Sequence, residues 1–192
     1  NAKTMSQCAV CGGRAEFWRK VDGYDYFECT ACESIAIDAI SLQDVDQGVF
    51  PRTYDPSYWA MEARAARIRS WGASLAQMAE TILCCRRPVE RFVDIGSGPG
   101  YFLDAAAAYL PSKQDRFFAV EKFPPDAHTA HPGYLIGDLA DMEGHFDAGI
   151  CVEVAEHLSP RQFTEIVDAL ASKSRPGSLF MFNTASPIFV KT

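Results

Sequence analysis

Three glycines in one short segment give the clearest chemical signal in the sequence. Val93-Asp94-Ile95 reads as a short apolar strand, and Gly96-Ser97-Gly98-Pro99-Gly100 follows as a turn that leads into a helical pattern. Glycine has no Cβ, so such a turn lets the backbone approach a nucleotide-like ligand, and a helix start aims free N–H groups at it. A dinucleotide fingerprint would place its third glycine at position 101, which is Tyr. The spacing therefore favours a different nucleotide-like ligand.

Four cysteines near the N-terminus give a second signal. Cys8-x-x-Cys11 and Cys29-x-x-Cys32 are seventeen residues apart, close to the spacing of a four-cysteine zinc site. The chain opens without a secretory signal pattern, so we expect thiolate ligands, with two disulfides or free thiols as the alternatives. Four protein thiolates close the coordination shell of a metal, which predicts a structural Zn²⁺ at Cys8, Cys11, Cys29 and Cys32.

Acidic residues follow the next three apolar segments. They are Glu121, Asp138 and Glu153, in that order along the chain. Glu121 lies 21 residues after Gly100, where a carboxylate can accept both hydroxyls of a ribose. A surface acid is the alternative for Glu121, and a turn-forming Asp is the alternative for Asp138.

Alternating strand and helix patterns must position these residues. From Arg91 the order is strand, helix, strand, short helix, strand, short loop, strand, helix, strand. This alternation predicts an α/β fold, a Rossmann-like and mostly parallel sheet with helices on both faces. Because ligands of such sheets bind beyond the carboxyl ends of the strands, we expect the glycine turn and the three acids to converge on one rim.

The four segments together resemble class I S-adenosylmethionine-dependent methyltransferases. Asp94-x-Gly96-x-Gly98-x-Gly100 resembles motif I, and segments 116–121, 134–139 and 146–158 resemble the next three strands and their loops, over roughly residues 55 to 184. The resemblance implies S-adenosylmethionine as the cofactor. It implies cofactor-binding residues at Asp94, Gly96, Ser97, Gly98, Gly100, Tyr101, Phe102, Glu121, Lys122, Asp138, Leu139, Glu153 and Val154.

The resemblance also implies roles for some of these residues. Asp94 would order the turn and engage the cofactor's amino group through water. Asp138 would receive the adenine amino group, Leu139 would stack on the ring, and Glu153 with Val154 would line the methionine end.

A catalytic base is expected just after the fourth strand. A hydroxyl acceptor must lose its proton, and His157, with Glu156 beside it, is the best candidate because His titrates near neutrality. A His that only packs or caps in the loop is the alternative. Glu153-x-x-Glu156-His157 also resembles half of a hard-metal site, but no clear further ligand is visible, so we expect no catalytic metal.

The cysteine pairs enclose a predicted hairpin. Segments 15–20 and 24–29 read as strands, joined by Val21-Asp22-Gly23. We predict a zinc-ribbon-like module over residues 1–35, a connector over residues 36–54 and the methyltransferase domain over residues 55–192. Residues 33–54, which include the connector, are expected to be irregular.

Helix signals mark the larger domain. Asp55-Pro56 predicts a helix start, with a long helical pattern to about Cys85 that is interrupted near residues 70–72, and Ser159-Pro160-Arg161-Gln162 predicts a capping box. Pro176-Gly177 is expected to end the last helix before a strand over 177–184. Two stripes of apolar residues are predicted to face the core: Ile68, Trp71, Leu75, Met78 and Ile82, and Phe163, Ile166, Val167 and Leu170. Tyr54, Tyr58 and Trp59 are expected to pack in the protein rather than bind ligand.

The composition of the chain limits the kinds of partner and substrate that we expect. The formal charge is −7, from 18 basic and 25 acidic residues, which argues against a nucleic-acid partner, and no apolar run is long enough to span a membrane. We expect a cytoplasmic enzyme acting on a small hydroxylated metabolite or a nucleotide-linked sugar. An RNA methyltransferase and a non-catalytic zinc-ribbon scaffold with a methyltransferase-like fold are the alternatives.

The C-terminal segment departs from the family pattern. Methyltransferases of this class normally carry two more strands after the fifth, and only residues 185–192 remain here. We therefore expect a truncated domain whose fifth strand has an open edge, through which the chain can self-associate.

Overall fold

The computed structural model describes residues 7–21, 23–47 and 54–184, and the chain divides into two compact units, residues 1–53 and 54–192. Predictions for Asp22, for residues 48–53 of the connector and for residues 185–192 lie outside the described residues. No helix in the described ranges is long and apolar enough to cross a membrane.

The N-terminal unit is a small antiparallel sheet followed by a helix. Strands β1 (Ala15–Val21), β2 (Tyr24–Cys29) and β3 (Ile35–Ile37) lie in that order, and helix α1 spans Ala39–Asp46. The predicted hairpin is confirmed, with Ala15 opposite Cys29 and Val21 opposite Tyr24.

The prediction of an irregular stretch over residues 33–54 is wrong for its first half. β3 pairs with β2, with Ile35 opposite Glu28, and α1 follows at once. Asp38 caps this helix, because its Oδ1 accepts from the N–H groups of Ile40 and Ser41 at 2.9 and 3.0 Å. A three-residue strand is too short to show a periodicity in the sequence, so only the pairing with β2 reveals it.

The larger unit is a parallel sheet with helices. Helices α2 (Pro56–Trp71) and α3 (Ala73–Cys84) precede β4 (Phe92–Ile95), α4 (Tyr101–Tyr109), β5 (Phe117–Glu121), β6 (Tyr134–Ile136), β7 (Phe146–Val152), α5 (Pro160–Ser172) and β8 (Ser174–Asn183). Short 3-10 turns span Pro111–Arg116, Leu139–Asp141 and Ala155–His157. The strand order is β6-β5-β4-β7-β8, and every pair is parallel. The order reverses beside β4, which puts the crevice for a ligand at its carboxyl end.

Apolar side chains cover both faces of this sheet. One core cluster joins the sheet to α3 and α4, and the other joins it to α5, so the predicted helices on both faces are confirmed. The first cluster includes Met78, Phe92, Phe102 and Phe117, and the second includes Val93, Val120, Phe146 and Leu170. Central strands buried on two faces read as nearly continuous apolar runs, and segment 92–95 departs from this only at Asp94.

Three predicted helix signals are confirmed. Asp55 Oδ1 accepts from Ser57 and Tyr58 at the start of α2, and the helical pattern is interrupted at Gly72. Ser159 and Gln162 form the capping box of α5. These signals involve neighbours in the chain, so the local sequence suffices to specify them.

Three residues of the predicted core stripes are exposed. Ile68 is 65% exposed, Trp71 is 36% exposed and Val167 is 42% exposed. α2 buries Ala66 and Ser70 instead, because it packs through a face of small side chains.

Two secondary-structure predictions for the larger unit are wrong. No helix forms between β5 and β6, because Pro124, Pro125 and Pro132 in this segment lack N–H donors. Pro176 and Gly177 do not end α5 but lie inside β8. The register between β7 and β8 is interrupted there, between Ser174 and Leu179, which accommodates the proline.

Candidate functional site

The glycine turn lies at the carboxyl end of β4 and is closely packed. Gly96 has φ +71°, and a Cβ added to it would lie 2.4 Å from Cγ2 of Val154. Gly100 has φ +75°, and its Cβ would lie 2.3 Å from Cγ2 of Thr129. Both positions therefore require glycine for conformation and for space.

The N–H groups of the turn are used inside the protein. Gly96 and Ser97 both donate to the carbonyl oxygen of Val120, at 2.9 and 3.2 Å, and Gly100 donates to Ser97 O. Gly98 donates to Oε2 of Glu121 at 2.8 Å. These four N–H groups therefore hold the turn closed, three of them on β5 and that of Gly100 within the turn itself.

Glu121 is held rigidly beside the turn. In addition to the bond from Gly98, its Oε1 accepts from the N–H of Phe123 at 2.9 Å. Each carboxylate oxygen has a second lone-pair site, so Glu121 retains capacity for two more donors. The structure thus brings Glu121 to the turn.

Asp94 lies beneath the turn and is only 6% exposed. Burial, and then the charge of Glu121, raise the pKa of Asp94 to about 8. The site therefore keeps a proton on Asp94 near neutral pH unless a cationic group compensates its charge.

Two polar atoms at the turn are buried without a hydrogen-bond partner in the described part of the chain. They are Oγ of Ser97 and Nε1 of Trp59. The Trp59 ring lies against Gly98, where an added Cβ would come within 3.1 Å of Cη2. Buried polar atoms are usually paired, so these two mark a place where a polar ligand fits.

The segment before β6 fastens the turn from the other side. Tyr134 Oη donates to the carbonyl oxygen of Gly98 at 2.5 Å, and Thr129 N donates to Pro99 O at 2.8 Å. Thr129 Oγ1 in turn donates to Asp104 Oδ1 of α4 at 2.6 Å. Sequence reasoning missed Tyr134 and Thr129, because no local signal connects residues about thirty positions away to the turn.

Lys122 and Asp138 meet at the ends of β5 and β6. Lys122 Nζ lies 3.0 and 3.1 Å from the two carboxylate oxygens of Asp138, on the surface. Asp138 also begins the 3-10 turn in a capping box with Asp141. Leu139, predicted to stack on a ring, is buried in the second core cluster, so its side chain offers no open face here.

A strained residue follows β7. Glu153 has φ +57°, which is rare for a residue with a side chain, and its N–H donates to Asn183 O at 3.0 Å. Burial and then the neighbouring carboxyl group of Glu156 raise the pKa of Glu153, while the charge of Arg69 lowers it. His157 is exposed, and its N–H donates to Val154 O.

A cavity of about 300 Å³ borders the turn and the start of α4. Tyr54, Trp59 and Tyr101 form its aromatic walls, so Tyr101 faces open space next to the turn. The side chain of Phe102, in contrast, lies in the core against Phe92 and Phe117, and only its backbone is near the turn. The remaining lining residues are Pro56, Ala60, Ala63, Pro99, Pro124, Pro125, Asp126 and Ala127.

The four cysteines of the N-terminal unit converge. Their Sγ atoms all lie within 4.8 Å of one another, with Cys8 and Cys32 at 3.7 Å and Cys11 and Cys29 at 3.5 Å. Four sulfurs about 2.3 Å from one tetrahedral ion would be about 3.8 Å apart, whereas disulfide sulfurs are about 2.05 Å apart. The arrangement therefore has the dimensions of a tetrahedral metal site.

The two cysteine turns share one geometry. Gly12 N donates to Cys8 O at 2.9 Å, and Glu33 N donates to Cys29 O at 3.0 Å. Gly12 and Glu33 both have positive φ, +73° and +58°. N–H groups of Val10 and Ala31 also donate to Sγ of Cys8 and Cys29, which stabilises thiolates. The Ser34 hydroxyl and backbone lower the pKa of Cys32 to about 6.

Comparison with known proteins identifies the family and the fold. A family model described as a methyltransferase domain matches residues 61–188 of the chain. The plantazolicin methyltransferase BpumL in complex with SAH is similar at 11% identity and a TM-score of 0.51, over 74% of this chain and 57% of that chain. The complex of BpumL with a monoazolic desmethylPZN analog and SAH is similar at 11% identity and a TM-score of 0.51, over 76% of this chain and 57% of that chain. DesVI of Streptomyces venezuelae is similar at 15% identity and a TM-score of 0.49, over 70% of this chain and 59% of that chain.

The chain thus spans somewhat more than half the length of the solved structures that it matches. No curated protein sequence matches it significantly. At these identities the structural likeness supports the fold.

Proposed function

The chain belongs to the methyltransferase domain family, and from this premise we propose that it transfers a methyl group from S-adenosylmethionine to a small hydroxylated metabolite or a nucleotide-linked sugar. The observation that carries the proposal is the closed glycine turn with Glu121 fastened to it through Gly98. Among the described residues, this is where a rigid carboxylate lies next to closely packed glycines.

The residues present fit S-adenosylmethionine. Glu121 has two lone-pair sites left for the ribose hydroxyls, and Ser97 Oγ is a buried group that lacks a partner. Asp94 can compensate a cationic amino group, directly or through water, and Asp138, which pairs with Lys122, would receive the adenine amino group as the family resemblance implies. When bound, the cofactor supplies an electrophilic methyl group on a sulfonium.

The chain's own task is to align the acceptor and to remove its proton. Methyl transfer from a sulfonium is an in-line displacement, so positioning contributes much of the catalysis. We assign proton removal to the Glu153 and Glu156 pair, with His157 of the same turn as the second candidate. The pair supports this role because Glu156 is exposed, and because the raised pKa of Glu153 makes its carboxylate the stronger base.

We also propose that Cys8, Cys11, Cys29 and Cys32 bind a structural Zn²⁺. The sulfur separations and the four N–H bonds of the two turns support this assignment. Since all four ligands are protein thiolates, the ion holds the small sheet together and leaves no position for a substrate.

Charge on the N-terminal sheet does not favour RNA as the substrate. Arg14 pairs with Glu16 at 3.2 Å, and Lys20 lies opposite Asp25 in the hairpin register. A basic stripe, which RNA binding needs, is therefore neutralised on these strands.

Self-association through β8, an edge strand of the described sheet, is the remaining partner proposal, and sedimentation velocity at two concentrations tests it.

Calorimetric titration with S-adenosylhomocysteine tests the function. We expect micromolar binding by the wild type and a loss of at least about tenfold in Glu121→Ala, since both ribose bonds and the anchor of Gly98 disappear. Glu165→Gln, on the exposed face of α5, is the matched control and should bind normally. Equal affinity of Glu121→Ala and wild type would contradict the proposed site.

A further inference from the structure

We propose that the aromatic cavity beside the glycine turn binds an ammonium group carried by the methyl acceptor. The proposal deepens the proposed function, because it assumes an acceptor that reaches the turn. We refer to the cavity lined by Tyr54, Trp59, Tyr101 and Asp126 as the aromatic cavity.

Three aromatic rings line the same space. Tyr54 and Trp59 have ring centroids 6.4 Å apart at an interplanar angle of 34°, and Tyr101 closes the side next to α4. Phe123 stacks behind Tyr54 at 5.7 Å and 10°, which fixes the orientation of that ring. Aromatic faces carry negative potential, and several of them around one space form a site for an alkylated ammonium ion.

The charge that lines the cavity is negative, which suits a cationic ligand. Asp126 is the only charged residue among those that line it, and within the described part of the chain its carboxylate has no ion pair or hydrogen bond. Its negative charge opposes a phosphate or a carboxylate in the cavity and attracts a cation. The lining therefore favours an amine-bearing acceptor over a nucleotide-linked sugar whose diphosphate would enter this space.

One ring of the cavity already contacts a cation. The guanidinium carbon of Arg67 lies 5.6 Å from the centroid of Tyr101 and 5.7 Å from that of Trp71. Arg67 itself does not line the cavity. One face of Tyr101 therefore already packs against a positive group.

The position of the cavity connects it to the reaction. Pro99 of the turn and Tyr101 of α4 belong to its lining, and Trp59 touches both the cavity and Gly98. An acceptor held there by its ammonium group extends along the turn toward the cofactor position.

Trp59 fluorescence tests the proposal. The variant Trp18→Phe with Trp71→Phe leaves Trp59 as the one tryptophan of the three in the chain. The probes are choline and its neutral isostere 3,3-dimethylbutan-1-ol, at constant ionic strength. We expect saturable quenching by choline in the millimolar range, and at least about tenfold weaker binding of the isostere.

Charge variants complete the experiment. Asp126→Asn should weaken choline binding at least about fivefold, whereas Asp115→Asn, on the surface in the 3-10 turn after α4, should leave it unchanged. Calorimetry of choline with the unsubstituted chain repeats the measurement in case the tryptophan changes disturb folding. Equal binding of choline and the isostere, or no binding of either, overturns the proposal.

A titration with S-adenosylhomocysteine on the same sample separates this proposal from the proposed function. Simultaneous binding of both compounds supports an acceptor site next to the cofactor. Displacement of choline by S-adenosylhomocysteine overturns the proposal, because the cavity then belongs to the cofactor. Choline binding without any S-adenosylhomocysteine binding upholds the cation site and contradicts the cofactor assignment instead.

Discussion

At the scale of single residues, Asp94 couples stability to the site. Its pKa in the folded chain is about 8, against an ordinary value of 3.8. A carboxyl group whose pKa is raised on folding contributes fully below about pH 3.8, and this contribution is lost as pH rises through about 8. The fold therefore becomes less stable toward alkaline pH because it contains Asp94.

Removing the Asp94 charge should reveal this cost. We expect Asp94→Asn to gain stability relative to wild type as pH rises from 5 to 8, on the order of 1 kcal/mol or more, while its affinity for S-adenosylhomocysteine falls. Urea unfolding at the two pH values measures the gain. Asp168→Asn, exposed on α5, should show no such trend, and a constant difference between Asp94→Asn and wild type would contradict the coupling.

The paired cysteine turns allow a matched test at the same scale. Gly12 and Glu33 occupy equivalent positions with positive φ, but only Glu33 has a side chain. We expect Glu33→Gly to stabilise the N-terminal unit by about 1 kcal/mol, and Gly12→Ala to destabilise it by a similar amount. Competition with a zinc chelator, followed by thermal melting, measures both. If the two changes act in the same direction, backbone strain is not the cause.

At the scale of elements, β6 fastens the glycine turn to the sheet. Tyr134 begins this strand, and its hydroxyl donates to Gly98 O. Burial, and the charges of Glu121 and Asp94, raise the pKa of Tyr134, so the hydroxyl stays protonated and remains a donor.

Loss of this hydroxyl should loosen the turn without unfolding the chain. Tyr134→Phe keeps the ring, and we expect it to cost about 1 kcal/mol of stability and about threefold to tenfold in affinity for S-adenosylhomocysteine. Denaturant unfolding and calorimetry measure the two effects. Tyr109→Phe, on the exposed end of α4, is the control, and an unchanged affinity in Tyr134→Phe would show that β6 does not position the turn.

At the scale of the whole molecule, the chain contains two units with separate cores. The N-terminal unit buries Ala15, Tyr24, Phe27 and Cys29, whereas the larger unit has two core clusters on its sheet. A sheet as small as the first buries too little apolar area to be stable without a crosslink or a metal.

Metal removal should therefore affect the two units differently. We expect a strong chelator, or Cys32→Ser, to abolish one unfolding transition in scanning calorimetry and to leave the second in place. S-adenosylhomocysteine should raise only the second transition, by mass action. A single transition that responds to both the chelator and S-adenosylhomocysteine would contradict this division.

Local patterns were sufficient for much of the fold. The hairpin, the helix starts at Asp55 and Ser159, the break at Gly72 and the five parallel strands follow from turn residues, caps and apolar runs. These features depend on residues close in the chain, so their physics is present in the sequence. The spacing of the four cysteines and of Gly100 and Glu121 is local information of the same kind.

Only the tertiary structure decided what surrounds the glycine turn. Trp59, Thr129 and Val154 come from three distant segments to cover it, and β5 accepts hydrogen bonds from three N–H groups of the turn. The burial of Leu139 and the strained backbone of Glu153 likewise have no local signal. These features depend on which side chains the packed sheet brings together, because burial and long-range hydrogen bonds are properties of the folded chain and not of any short segment.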